Sequence, residues 1–141
     1  MKRYLMLLFF ILLISGCVQE ETVYVANVID GDTLVTADGI HIRLLGINAP
    51  EKNEYLYEES TEYLRNLIEG KYVTLERDET NKDWYGRKLR YVYLGNKFIN
   101  AEMLEKGYAR LYLLKDKKYE NTLKYAELDA QNLQIGVWQY T

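Results

Sequence analysis

VYVANVIDGDTLVTADGIHIRLL, Val23 to Leu45, reads as three short strands with two turns between them. Val23 to Ile29 is β-branched and aromatic, Thr33 to Thr36 follows the tight Asp30-Gly31-Asp32 turn, and Ile40 to Leu45 follows Asp38-Gly39. The order is that of a meander. In the third strand Ile40, Ile42 and Leu44 share one face, while His41, Arg43 and Leu45 share the other. Arg43 therefore leaves the main apolar face, which makes it a candidate for work outside the core.

Further along the chain, Pro50 blocks regular pairing, and Glu58 to Ile68 carries Tyr63, Leu64, Leu67 and Ile68 at helical spacing before Gly70 stops it. Tyr72 to Arg77 alternates as a strand, and Asp78 to Asp83 is a polar loop. Leu89 to Leu94 is set to pair with Lys97 to Ile99 through Gly95-Asn96. Asn100 is read as the N-cap of a short helix running to Lys106 and stopped by Gly107. A longer helix from about Tyr119 to Leu133 stacks Leu123, Ala126, Ala130 and Leu133, and Trp138 packs the tail. About five short strands around one core, with helices inserted and appended, define an α+β, mainly β class: a five-stranded OB-type β-barrel with two to three helices.

Toward the N-terminus, Lys2 and Arg3 precede an apolar run from Tyr4 to Ile14, then Ser15 and Gly16, the pattern of a secretory signal over residues 1–16. The run is short for a bilayer span, which takes about 20 apolar residues. Ile14-Ser15-Gly16-Cys17 resembles a lipobox, and Cys17 is the only cysteine of the chain. A lone thiol in an exported protein can form no internal disulfide, and lipidation accounts for it. Residues 17–22 are then a lipidated cysteine and short tether, residues 23–141 one domain, and the location a membrane-anchored lipoprotein at the cell envelope. An ordinary secreted protein is the plainer alternative. Removal of Lys2 and Arg3 leaves 16 Lys and Arg against 21 Asp and Glu, a net charge of −5. Any nucleic-acid partner must then be held by local arginines and a metal rather than by a broadly basic surface.

Three segments can carry chemistry. Asp30-Gly31-Asp32-Thr33 is an acidic turn whose oxygens suit a hard cation; taken alone it is an ordinary β-turn. It is no EF-hand, because the twelfth position counted from Asp30 or Asp32 is His41 or Arg43 instead of a glutamate. Arg43 to Glu51 sets a cation at a strand end and a carboxylate just past a proline-stiffened bend. Asp83-Trp84-Tyr85-Gly86-Arg87 presents an arginine beside aromatic rings. Taken singly, Arg43 or Arg87 reads as well as a surface ion pair. His41 is the sole histidine, which excludes mechanisms needing two, and it reads as a solvated strand residue. The many tyrosines read mainly as core or half-buried strand residues.

Together, Ile29 to Thr33, Ile42 to Glu51 and Asp83 to Arg87 resemble the staphylococcal nuclease family in order and spacing, supported by Phe98-Ile99-Asn100-Ala101, Glu105 to Ala109 and Gly136-Val137-Trp138. The resemblance implies a Ca²⁺-dependent phosphodiesterase, endonuclease and exonuclease, that hydrolyses DNA and RNA to products with 3′-phosphates. It implies Asp32, Asn48 and the backbone carbonyl of Ala49 as Ca²⁺ ligands, Arg43 and Arg87 as the groups on the scissile phosphate, and Glu51 as general base. Tyr85 resembles the base-flanking tyrosine, and Tyr112 lies near the segment closing the other side of the nucleotide pocket. A metal and two planar cationic donors suit charge that develops on non-bridging phosphate oxygens.

One departure stands out. The family has aspartate where this chain has Asn48, which keeps an oxygen and loses a charge, so weak or substrate-assisted Ca²⁺ binding is expected. Position 49, a threonine in the family, is alanine here. The alternative from a different class is a nucleic-acid-binding OB module with weakened or lost catalysis. A monomer is expected, with the membrane as partner through the lipid anchor.

Overall fold

Eleven residues of β1 (Glu20–Asp30) serve two neighbours in turn. In the computed structural model, which describes residues 20–115 and 118–140, its first half pairs with β5 (Tyr72–Glu76) and its second half with β2 (Thr33–Thr36), both antiparallel. Register shifts between Val25 and Asn27 and between Val28 and Asp30 bend the strand where it changes partners, the usual role of a bulge at a barrel corner. β2 pairs with β3 (His41–Leu44), and β5 with β6 (Lys88–Leu94). A parallel pairing of β3 with β6, Ile42 opposite Lys88 and Leu44 opposite Arg90, then closes five strands into a barrel with three helices outside it. The expected OB-type, mainly β architecture is the observed one.

Every strand read from the sequence is present to within a few residues. Two pieces escaped it: β4 (Ile47–Asn48) and β8 (Arg110–Leu111), which pair antiparallel as a small second sheet. Two-residue strands have no period to read. β7 (Lys97–Phe98) forms the hairpin with β6 across Gly95-Asn96, Gly95 taking the positive φ of 57° the turn demands. The barrel interior holds Val25, Leu34, Ile42, Leu44, Leu75 and Val92, none more than 1% exposed. α1 (Tyr57–Ile68) packs against β1 and buries Leu64 and Ile68. α2 (Ile99–Glu105) packs on α3 (Glu120–Leu133), burying Met103 and Leu104 on one side and Leu123, Ala126 and Ala130 on the other.

The expected cap at Asn100 is corrected. Asn100 lies within α2, fully buried, and its amide brackets three backbone groups: Oδ1 accepts from the Val92 N–H at 2.8 Å, and Nδ2 donates to Leu45 O at 2.8 Å and Arg90 O at 3.3 Å. Phe98 stands at the cap position, with no side-chain cap bond. Those backbone groups need a buried partner, and a side-chain amide supplies both polarities at once. Glu20, Glu21 and Thr22, at the end of the expected tether, pair with Glu76, Leu75 and Thr74. The signal segment and Cys17 lie outside the described residues. Among the described residues no helix is long and apolar enough to cross a membrane.

Candidate active site

The turn between β1 and β2 is pulled inward by Gly31. A Cβ there would lie 1.9 Å from Ser60 Oγ and 2.6 Å from the Ala49 Cβ, so only glycine lets this turn touch both α1 and the segment after β4. That approach delivers the Asp32 carboxylate to the Ala49 backbone, where Oδ2 accepts the Ala49 N–H at 2.7 Å. The other oxygen, Oδ1, accepts the Thr33 hydroxyl at 3.0 Å. Asp32 is only 5% exposed. Burial pushes its carboxyl up to about 6; the Arg43 charge and the Ala49 N–H oppose the rise, and Asp30 beside it adds to it.

Arg43, on the face of β3 away from Ile42, is buried too. Its Nη1 donates to Leu44 O and Ile47 O, each at 2.7 Å, and its Nη2 donates to Asn48 Oδ1 at 2.9 Å and lies 3.1 Å from Asp32 Oδ2. One guanidinium nitrogen thus bridges the two side-chain oxygens expected to hold a metal. Both terminal nitrogens already have protein partners, so the group is aimed with great stiffness.

Arg87 approaches from the other side of the barrel seam, just ahead of β6. Its Nε donates to Asp83 Oδ2 at 2.7 Å, and its Nη1 donates to Thr33 Oγ1 at 3.3 Å. Burial tends to raise the Asp83 carboxyl, but the hydrogen bonds and charge of Arg87 outweigh it and hold the carboxyl below the ordinary value. The Thr33 hydroxyl is the joint of the whole arrangement, donating to Asp32 and accepting from Arg87. Asp83–Arg87–Thr33–Asp32–Arg43–Asn48 is therefore one continuous polar network.

The cleft beside this network has a volume of about 580 Å³ and is lined by Arg43, Asn48, Tyr85, Arg87 and Tyr112 among others. Four expected site residues besides Asn48 thus converge on one hollow. Tyr85 and Tyr112 are 86% and 53% exposed, open to a flat ligand, and the Arg87 guanidinium carbon sits 5.5 Å from the Tyr85 ring centre. Glu51 is the residue not brought in. It is exposed, its N–H donates to Glu54 Oε2 at 2.7 Å, and among the described residues no side-chain hydrogen bond or ion pair joins it to the network. His41 is exposed on β3, as expected of a solvated strand residue.

Among the described residues no three His, Cys, Asp or Glu cluster as a metal cage. The donor set still suits a hard cation: one buried carboxylate strained toward protonation, one amide oxygen beside it, and adjacent backbone. With a single carboxylate in contact, such a site is a weak one. Thr33 and Asp83 are members of this network that motif reading passed over. Asp83 stands four residues before Arg87 in a glycine-containing loop, a spacing that could have marked it as the arginine's anchor.

The family model described as Staphylococcal nuclease homologue matches residues 41–140. A thermonuclease of Staphylococcus hyicus is 32% identical over 129 residues, covering 84% of this chain and 76% of that protein. A thermonuclease of Staphylococcus intermedius is 31% identical, covering 89% and 80% respectively. A protein of Haemophilus influenzae described as an uncharacterized endonuclease is 37% identical, covering 95% of this chain and 75% of its own length.

Proposed function

The chain belongs to the staphylococcal nuclease family and is a nuclease, and from that premise we propose that it is a Ca²⁺-dependent phosphodiesterase acting on DNA and RNA and leaving 3′-phosphates. The observation that carries this reading is the single network joining Arg43 and Arg87 to the Asp32 turn at the edge of one cleft. Two guanidinium groups fixed on opposite sides of the barrel seam grip a phosphate from two directions. Their charge is worth most as negative charge grows on the non-bridging oxygens. Each is held by a carboxylate, so neither must be ordered at the moment of reaction.

Asp32, Asn48 and the Ala49 carbonyl would hold the Ca²⁺ ion, which supplies Lewis-acid stabilisation of the phosphate and a polarised water. Asp32 has both oxygens engaged by Ala49, Thr33 and Arg43, which sets it at the metal rather than at the attacking water. Glu51, exposed beyond Pro50, is the neighbouring carboxylate open to take the proton of the attacking water once substrate is bound. Water attack at phosphorus forms the new P–O bond and breaks the bond to the 5′-oxygen, which takes a proton from solvent and leaves as an alcohol, while the phosphate stays on the 3′ side. Tyr85 and Tyr112 flank the base next to that phosphate.

A second reading, a nucleic-acid-binding module with lost catalysis, draws on Asn48, whose oxygen is occupied by Arg43 and carries no charge. A digestion assay on denatured DNA decides between them. Cutting that requires Ca²⁺ and stops with chelator supports the nuclease reading; tight binding without cutting at any Ca²⁺ concentration supports the module. The signal-like pattern over residues 1–16 and the Cys17 thiol support the reading of an exported protein held at the membrane by a lipid.

A further inference from the structure

Trp84 is 102% exposed, although an indole is among the side chains that gain most from burial. It stands on a loop that is anything but loose. Asp83 Oδ1 accepts the N–H groups of Tyr85 and Arg87, each at 3.0 Å, the Asp83 N–H donates to Arg87 O at 3.1 Å, and the Gly86 N–H donates to Asp83 O at 3.1 Å. Gly86 makes the turn at φ 82°, and Lys82 and Lys88 form a bridge across its base. A rigid loop thus holds a bare aromatic face in water, next to the exposed Tyr85.

The two sides of this loop are both hollow. On one side is the cleft with Arg43 and Arg87; on the other is a second groove of about 580 Å³ lined by His41, Lys82, Lys88, Tyr85 and Arg87 with Gly39, Ile40 and Gly86. No acidic residue lines that groove, in a chain with a formal net charge of −3. The opposite charges paired to its cations stand outside the lining: Asp83 Oδ2 accepts from Arg87 Nε at 2.7 Å, and Glu21 Oε2 is 3.9 Å from Lys88 Nζ. Lys82, Tyr85 and Arg87 belong to both hollows, so a chain of phosphates that passes from one to the other meets the same two cations on the way.

We propose that the 82–86 loop is a saddle crossed by a single polynucleotide strand, with Trp84 stacking an unpaired base next to the cleft and Lys82 and Lys88 taking a phosphate beyond it. This deepens the nuclease reading and rests on it. A base must be unstacked to lie on Trp84, so the surface selects single-stranded or opened nucleic acid longer than a dinucleotide and rejects intact duplex. The aromatic face tolerates any base, because every base has a π-face, and the lysines add a salt-sensitive backbone grip.

Equilibrium binding of 5′-labelled thymidylate octamer and dimer, followed by fluorescence anisotropy in chelator, tests this directly. Trp84→Ala should weaken octamer binding about 10-fold and leave dimer binding unchanged, and Trp84→Phe should recover most of the loss. Lys82→Ala combined with Lys88→Ala should flatten the dependence of log Kd on log salt by about one unit. An octamer bound no better than the dimer, or equally well by Trp84→Ala and the unaltered protein, overturns the strand path. A parallel cleavage assay of the unaltered protein with Ca²⁺ separates the two claims. Cutting without any Trp84 effect on octamer binding removes the saddle and keeps the nuclease, whereas Trp84-dependent binding without cutting keeps the saddle and removes the nuclease.

Discussion

Asn48→Asp tests the metal assignment at its most exposed point. Asn48 Oδ1 sits 2.9 Å from Arg43 Nη2, which itself lies 3.1 Å from Asp32 Oδ2, so the substitution puts a second carboxylate within a few ångströms of the first. In the metal-free protein two effects oppose each other. The new charge attracts Arg43, worth about 1 kcal/mol because Asn48 is exposed and solvent screens it. It also repels Asp32, whose carboxyl already stands at about 6, and pushes it higher still. Their near-cancellation should leave metal-free stability almost unchanged. A divalent ion feels the new charge without that cancellation: attraction at this range is on the order of 1 to 4 kcal/mol per unit charge, less the loss of the Arg43 contact. The expected net result is Ca²⁺ binding tightened about 10-fold, or ~1.4 kcal/mol. Titration calorimetry measures it, and the rise in melting temperature with added Ca²⁺ should grow in step. Unchanged or weaker Ca²⁺ binding in Asn48→Asp would mean that residue 48 is not a ligand, and the binding-module reading would then gain.

Arg43→Ala and Arg87→Ala should each lower kcat by at least about 100-fold, the loss of one preorganised charge-assisted donor. Arg43→Ala should also lower the melting temperature, because it leaves a buried Asp32 and two carbonyls without their partner, whereas half-exposed Arg87 should leave it nearly unchanged; equal melting losses would contradict the burial difference. Gly31→Ala should destabilise the fold by about 1 to 3 kcal/mol in denaturant unfolding, since its Cβ would meet Ser60 Oγ at 1.9 Å, and should depress activity by shifting Asp32; a silent substitution would refute the close approach. Asp32 has a folded-state pKa of about 6 against an ordinary 3.8, so its contribution is full below 3.8 and lost as pH rises through 6. Relative to Asp32→Asn in chelator, stability should therefore fall by up to about 3 kcal/mol between pH 4 and 7, and a rise over that range would reverse the assignment. Cys17→Ser in the full-length precursor should leave the protein soluble or its signal uncleaved, seen by fractionation and by size on a gel, and a variant cleaved and membrane-retained like the unaltered protein would exclude a lipid anchor at that thiol.

The strands around the Asp30 and Asp38 turns were legible because alternation and turn chemistry agreed there, and β2 falls where Thr33 to Thr36 was read. Asn100 was misread because a helix N-cap and a buried amide at a helix start use the same residue type. Only the strand carbonyls and N–H groups it meets, far away in sequence, tell the two apart. The two arginines and the Asp32 turn were recoverable from ordered motifs, while Thr33, the hydroxyl joining them, was hidden inside a motif read for its acids. β4 and β8 went unseen because two residues carry no period. The reach of Glu51 was invisible for a different reason: side-chain placement after a proline depends on what fills the cleft.

The parallel seam between β3 and β6 also governs when this protein becomes dangerous. Arg43 faces Leu89 across that seam and Arg87 lies at its entrance, so the two cations meet only after all the chain between Leu44 and Lys88 has been looped and tucked in. Bringing distant segments together is the slow, entropically opposed part of building a barrel. Until it happens, the chain holds neither a phosphate clamp nor a cleft. A polypeptide in which this seam has not closed therefore does not yet hold its two arginines together, whatever nucleic acid surrounds it.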